Sequence, residues 1–201
     1  VSYALPAIEL MGATISAAVD YDPAAGAAGN DHDAVAAKTL TQGSGTAVVV
    51  KIAHESGLTI GAGQEDISSA SGTDPEASNV TAYALYTMGP VSIGYQQYYL
   101  DQGTSSSGGS TPSRDYSGDA VGIAFNVNDQ LSVGYQKVSE DQEAGAGTVA
   151  ANREIKSLTA AYSSGGMTMS VQSTDTDNYA MAAAASALDT ETVQVTLSFA
   201  F

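Results

Sequence analysis

Carboxylates are the most numerous side chains in this sequence that could do chemistry. There are 22 aspartates and glutamates against 6 lysines and arginines, which gives a net charge of −16. Clustered carboxylate oxygens are the ligands that Ca²⁺ prefers, so the sequence predicts a possible calcium ligand set at Asp31, Asp33, Asp175 and Asp177. The stretch from Asp175 resembles the start of a calcium loop but lacks the glycine and glutamate of an EF-hand. For any single acid we favour the alternative, an acidic surface that only attracts cations.

Other kinds of reactive site are not evident. The chain has no cysteine, which excludes disulfides, thiolate metal sites and a cysteine nucleophile. Its two histidines, His32 and His54, stand in no nucleophile or metal-hydrolase motif, so we expect no enzyme. Nucleic-acid binding needs clustered lysine and arginine, and we do not expect it here.

Apolar and polar residues alternate along most of the chain, which is the periodicity of β-strands. The last segment shows this best, because Val195, Leu197, Phe199 and Phe201 share one face and polar residues take the other. Ten other segments alternate in the same way. We therefore predict eleven strands in one all-β domain over residues 1–201.

The connections between the predicted strands alternate in length. Short turns such as Glu55–Gly57 and Asn128–Gln130 alternate with long loops, predicted at Pro23–Gly45, Ser68–Ser78, Gln102–Asp119, Asp141–Arg153 and Thr176–Asp189. Most acids lie in or beside the long loops, so one end of the sheet is strongly negative. A soluble sandwich carries more charge on its outer face, whereas tilted strands of about ten residues span a bilayer as a closed barrel.

The polar parity of the predicted strands carries amides, hydroxyls and one mid-strand cation. We predict that these residues line a water-filled pore: Lys51, Gln96, Tyr98, Gln136, Gln172 and Gln194. Lys137 and Lys156 have the apolar parity near strand ends, where a long side chain can carry its charge to the surface. Tyr83, Leu85 and Tyr86 occupy both parities, and we interpret them as facing another subunit.

The C-terminal alternation that ends on Phe201 resembles the assembly signal of Gram-negative outer-membrane barrels, which place an aromatic residue at the end of the last strand. The likeness extends to the whole chain, because the hairpins repeat along it. Two segments, Val1–Pro23 and Pro90–Asp101, also have the short apolar strands, tight turns and acidic loops of that family. The chain resembles the C-terminal two-thirds of a general-diffusion porin of the alphaproteobacterial type.

That resemblance implies a transmembrane antiparallel barrel of 16 strands, integral to the outer membrane and usually homotrimeric. It implies that about five further strands and the constriction loop precede Val1. The expected function is passive diffusion of small hydrophilic solutes and ions, with a preference for cations because of the acidic rim. The expected partners are outer-membrane lipid and lipopolysaccharide, with calcium as an optional ligand and no required cofactor.

Two alternatives stay open at this point. A soluble or surface-exposed β-sandwich adhesin or structural protein would share the alternation and the acidity. An autotransporter-type barrel would share the membrane fold and carry a passenger domain upstream. A soluble sandwich should partition into the aqueous phase without detergent, whereas a porin should not.

Overall fold

The computed structural model describes residues 1–23, 42–69, 76–101, 114–144, 148–179 and 188–199. In these ranges every regular element is a β-strand, and no helix is long and apolar enough to cross a membrane. The strands are β1 Ser2–Ala4, β2 Ile8–Leu10, β3 Ala13–Asp22, β4 Gln42–His54, β5 Leu58–Ser69, β6 Ala77–Met88, β7 Val91–Asp101, β8 Arg114–Asn126, β9 Leu131–Ala144, β10 Thr148–Ser164, β11 Met167–Asp177 and β12 Thr190–Phe199.

The strands form one antiparallel sheet in which sequential strands are neighbours. The first two strands share one position, because Tyr3 pairs with Val19 and Ile8 pairs with Ile15, both on β3. Pro6 lies between them, and its missing N–H interrupts the ladder there. The 12 strands therefore occupy the eleven positions that the alternation predicts, with the first position divided in two.

The short turns lie at one end of the sheet, as predicted. Two of them have positive φ at both central residues: Met11 and Gly12 at 51° and 77°, and Gly165 and Gly166 at 58° and 81°. This is the type I′ geometry, whose twist matches that of the flanking strands. Glycine adopts it without steric cost, whereas Met11 holds a conformation that its Cβ disfavours.

Register partners share a face of the sheet, so the ladder defines two faces. Val195 pairs with Val171, which pairs with Ala160, and that row continues through Val133 to Phe125. We call this side the apolar face and the opposite side the polar face. The apolar residues extend from the short turns for about seven residues of each strand, or about 23 Å, and this part is called the apolar band.

The sheet is a single layer. Among the described residues no large side chain is fully buried, and Val195, Leu197 and Phe199 are 64%, 52% and 56% exposed. A β-sandwich buries such a face against a second sheet about 10 Å away. The described packing therefore does not favour the sandwich alternative.

Several strands continue into segments that the sequence assigns to loops. The predicted loop Asp141–Arg153 is wrong for most of its length, because β9 runs to Ala144 and β10 begins at Thr148. These strands have 14 and 17 residues, against 10 in β3. Above the apolar band the apolar face becomes polar, while the opposite face mixes polar residues with Val138 and Ile155, so the alternation stops although backbone pairing continues. We call residues 97–101, 114–120, 137–144 and 148–156 the strand extension.

Candidate functional site

The polar face carries all six predicted pore residues. Lys51, Gly61, Tyr83 and Gln96 form one register row across β4 to β7. Tyr98, Gln136, Gln172 and Gln194 face the same side, and the last two are direct partners. The interpretation of β6 is corrected in part, because Tyr83 and Leu85 share this polar face whereas Tyr86 lies opposite Leu58 on the apolar face.

Below the strand extension the polar face carries mainly amides, hydroxyls and glycines, with Lys51 as a cation. The Gln96 amide donates to the Thr81 hydroxyl over 2.9 Å and the Gln172 amide donates to the Thr174 hydroxyl over 3.3 Å. A Cβ added at Gly122 would meet nothing closer than a carbonyl oxygen at 3.6 Å. This wall offers amides and hydroxyls that exchange readily with water.

Two tyrosines on the polar face lie flat over glycines of the next strand. The ring of Tyr83 covers Gly61 and the ring of Tyr98 covers Gly118, so closely that a Cβ at either glycine would collide with the ring. The two rings lean in opposite directions, Tyr83 toward β5 and Tyr98 toward β8. Glycine is needed at both positions because any side chain would displace the ring.

Tyr98 belongs to a polar cluster in the strand extension. Tyr98, Gly118, Glu140 and Arg153 form one register row on β7 to β10. The Arg153 guanidinium pairs with the Glu140 carboxylate through both Nη2 and Nε, the latter over 3.0 Å. Partial burial and then the negative charge of Glu140 raise the pKa of Tyr98, so its hydroxyl stays protonated and available to hydrogen-bond that carboxylate.

The neighbouring row repeats this geometry. Tyr116 is the register partner of Gln142, and the Gln142 amide donates a hydrogen bond of 3.2 Å to the Tyr116 hydroxyl. Both tyrosines on the polar face of the extension, Tyr98 and Tyr116, therefore direct their hydroxyls toward β9. Both are half-buried, and the Tyr98 ring lies over Gly118.

The apolar face of the extension carries an ion network above the apolar band. Glu154 bridges two lysines on adjacent strands, Lys137 over 2.5 Å and Lys156 over 2.6 Å, and Lys156 also lies 3.5 Å from Asp177. The hydrogen bonds from Lys137 and Lys156 lower the pKa of Glu154, and the bond from Glu154 raises that of Lys156. Lys137 and Lys156 are direct partners, and Glu154 offsets their repulsion.

The predicted calcium ligands are only partly within the described residues. Asp31 and Asp33 lie outside them. Asp175 is the partner of Lys156 and of Glu191, and Asp177 is the partner of Glu154. In the described ranges no three metal-binding side chains come together, and the calcium ligand set stays a prediction.

Charge is separated between the two ends of the sheet. Among the described acids, Glu9, Glu55 and Asp129 lie beside the short turns and the others lie toward the opposite end. His54 also lies at a short turn, where its Nδ1 is 2.8 Å from the Ser56 hydroxyl and accepts the Ser56 N–H. Of the proposed assembly signal, Val195, Leu197 and Phe199 lie on the exposed apolar face of β12, and Phe201 lies outside the described residues.

This is the fold of an outer-membrane β-barrel protein, seen as one antiparallel sheet with an apolar and a polar face. Two solved structures show it. The chain is similar to the outer-membrane expressed OmpT of Vibrio cholerae, with a TM-score of 0.58, 14% identity, and 85% of this chain and 52% of that chain covered. It is also similar to a porin refined at 1.8 Å, with a TM-score of 0.59, 16% identity, and 97% and 60% covered.

The chain thus spans between half and two thirds of the length of either structure. No protein-family model and no curated relative matches the sequence. The likeness therefore rests on the strand arrangement and the two faces of the sheet.

Proposed function

We propose that this chain forms part of the wall of a water-filled channel in the outer membrane, through which small hydrophilic solutes and ions diffuse passively. The observation that carries this proposal is the exposed apolar band on a single-layer sheet. The band is about 23 Å long along the strands, and the tilt of about 35–45° in outer-membrane barrels would make it about 16–19 Å tall, against a lipid-facing band of about 25 Å in such barrels. Its apolar side chains are exposed where lipid would cover them.

The polar face supports a lumen. Its lower part carries amides, hydroxyls and glycines, and Lys51 is a cation on that wall whose partners Ser16 and Gly61 are uncharged. A barrel of 16 strands is too wide for side chains to fill, so this face would border water. We propose that strands outside this chain close the barrel, since an open edge leaves backbone groups unpaired in lipid.

The acidic end supports a preference for cations. Carboxylates around an aqueous entrance raise the local concentration of cations and lower that of anions, most strongly at low salt. In this proposal the acidic end faces outward, next to lipopolysaccharide, and the channel is a homotrimer. Calcium at the acidic rim, with Asp31, Asp33, Asp175 and Asp177 as ligands, remains a prediction that calorimetric titration of the detergent-solubilised protein would test.

The reversal potential of single channels in a KCl gradient tests the proposal. We expect ohmic pores with a cation preference that weakens as salt is raised. Lys51→Glu should increase the cation preference, because it reverses a charge on the lumen wall. Lys137→Glu makes the same charge change on the outer side of the wall and should alter the reversal potential much less.

Three results would contradict the proposal or a part of it. Absence of channels from correctly folded protein in a planar bilayer would remove the diffusion function. A preference for anions at low salt would contradict the predicted cation preference but not the diffusion channel. Equal effects of the two lysine substitutions would mean that the polar face is not the conducting side.

A further inference from the structure

The polar face of the strand extension has a surface unlike the rest of that wall. Tyr98 and Tyr116 occupy diagonal positions on β7 and β8, a separation of about 7–8 Å between neighbouring strands. The Tyr98 ring lies over Gly118, and the Gln142 amide holds the hydroxyl of half-buried Tyr116. These two neighbouring tyrosines on the polar face are called the platform.

Planar polar groups border this platform on one side. Glu140 and Arg153 neutralise each other, with side chains that are 13% and 27% exposed, and the Gln142 amide stands in the next row. These groups supply both donors and acceptors without net charge. Fixed polar groups beside an apolar surface are the usual design of a small-molecule site.

The chemistry of the platform selects among solutes. An ion gains little from a surface whose charges are paired, and an aliphatic solute makes no use of the amide, carboxylate and guanidinium. A sugar ring has an apolar C–H face that can stack on an aromatic ring and hydroxyls at its edge that need donors and acceptors. Two adjacent aromatic faces suit two linked rings better than one.

We propose that Tyr98 and Tyr116, with Glu140, Arg153 and Gln142, form a binding subsite for neutral oligosaccharides at the outer entrance of the lumen. This inference rests on the proposed channel function and adds a solute class to it. Binding there concentrates the sugar at the entrance and partly obstructs the path of ions.

The test is the current through single channels of the intact protein, with maltose or sorbitol added to KCl solution. Maltose has two rings, whereas sorbitol is an open-chain polyol with hydroxyls but no ring face. We expect maltose to reduce the current in a saturable manner and sorbitol to reduce it only through viscosity. Tyr98→Ala should weaken maltose block roughly tenfold, a change equivalent to about 1.4 kcal/mol.

Further variants separate stacking from structure. Tyr98→Phe keeps the ring and should retain most of the block, while Tyr116→Ala should weaken it as Tyr98→Ala does. Tyr99→Ala, on the opposite face of the extension, is the matched control and should leave the block unchanged. Heat-dependent mobility on gels shows whether each variant is folded.

The outcomes distinguish the two proposals. Cation-selective channels that maltose and sorbitol affect equally would overturn the subsite and leave the channel function intact. Channels in which Tyr98→Ala and Tyr116→Ala keep full maltose block would also overturn it. Folded protein without any conductance would overturn the channel function itself.

Discussion

The apolar band and the strand extension are continuous parts of the same strands, but different forces hold them. In the band, the side chains of one face are apolar and exposed, and the polar face carries small residues. In the extension polar residues occur on both faces, and side-chain pairs link the strands: Glu140 with Arg153, Gln142 with Tyr116, and Lys137 with Glu154. The stability of the band therefore depends on what covers its apolar face, whereas the extension is stabilised by its own cross-strand contacts.

The largest effect should follow from placing a charge in the band. Ile123 and Ser117 lie on the same face of β8, one within the band and one in the extension. We expect Ile123→Lys to destabilise the protein in lipid vesicles by about 2–4 kcal/mol, because a lysine near the bilayer midplane loses its hydration. Ser117→Lys should change stability by no more than about 0.5 kcal/mol.

Urea titration of the intact protein in lipid vesicles measures this difference, with the folded fraction read from gel mobility. Equal losses for the two variants would mean that lipid does not surround the band. The band and the extension would then not differ in whether lipid or water surrounds them.

A second, smaller effect should be a difference in the stability lost when a glycine of each region is replaced by valine. Gly118→Val places a side chain where the Tyr98 ring lies, whereas Gly122→Val, in the band on the same strand, places its Cβ at an ordinary contact distance, 3.6 Å from the Tyr135 carbonyl oxygen. Overpacking costs about 1–3 kcal/mol, so we expect the first variant to lose that amount and the second to lose little. Tyr98→Ala in the Gly118→Val background should restore most of the loss.

These two regions also differ in how much of them the sequence predicts. Alternation reveals the band because one face is apolar, so Val195, Leu197 and Phe199 identify β12 directly. It fails at Asp141–Arg153, where neither face is apolar and nothing local distinguishes a polar strand from a loop. The cross-strand pair of Glu140 and Arg153 depends on register, which is set by the turn and ladder below it.

The same limit applies to the candidate site. Parity along each strand is enough to place Gln96, Gln172 and Gln194 on one face. It cannot show that Tyr98 lies over Gly118, because that contact joins residues on different strands with no shared periodicity. The glycine itself was the available signal, since glycine within a strand marks a close approach.

At the short-turn end of the band, one residue holds a costly backbone conformation. Met11 has a φ of 51°, a region where a Cβ costs about 1–2 kcal/mol and where asparagine is better tolerated. We expect Met11→Asn to stabilise the protein by about 1 kcal/mol, measured by the same urea titration. Gly165→Asn, at a turn whose glycine is unstrained, is the control and should give no gain.

The smallest effect should come from the pH dependence of the ion network on the extension. The pKa of Glu154 is lowered in the folded protein by Lys137 and Lys156, so its contribution to stability is complete above its unfolded pKa of about 4.3. That contribution is lost as the pH falls through the lower folded value. The lysines remain charged throughout this range and, once Glu154 is protonated, repel each other across β9 and β10.

The thermal unfolding midpoint of the intact protein between pH 7 and pH 2 measures this loss. We expect Glu154→Gln to flatten the acid side of the curve slightly, because the variant has no carboxylate to protonate at that place. Asp129→Asn removes an acid from the short-turn end and should leave the acid slope as it is. All groups of this network are exposed to solvent, so high salt should screen the difference between the two variants. A difference that persists in molar salt would mean that Glu154 acts through packing and not through its charge.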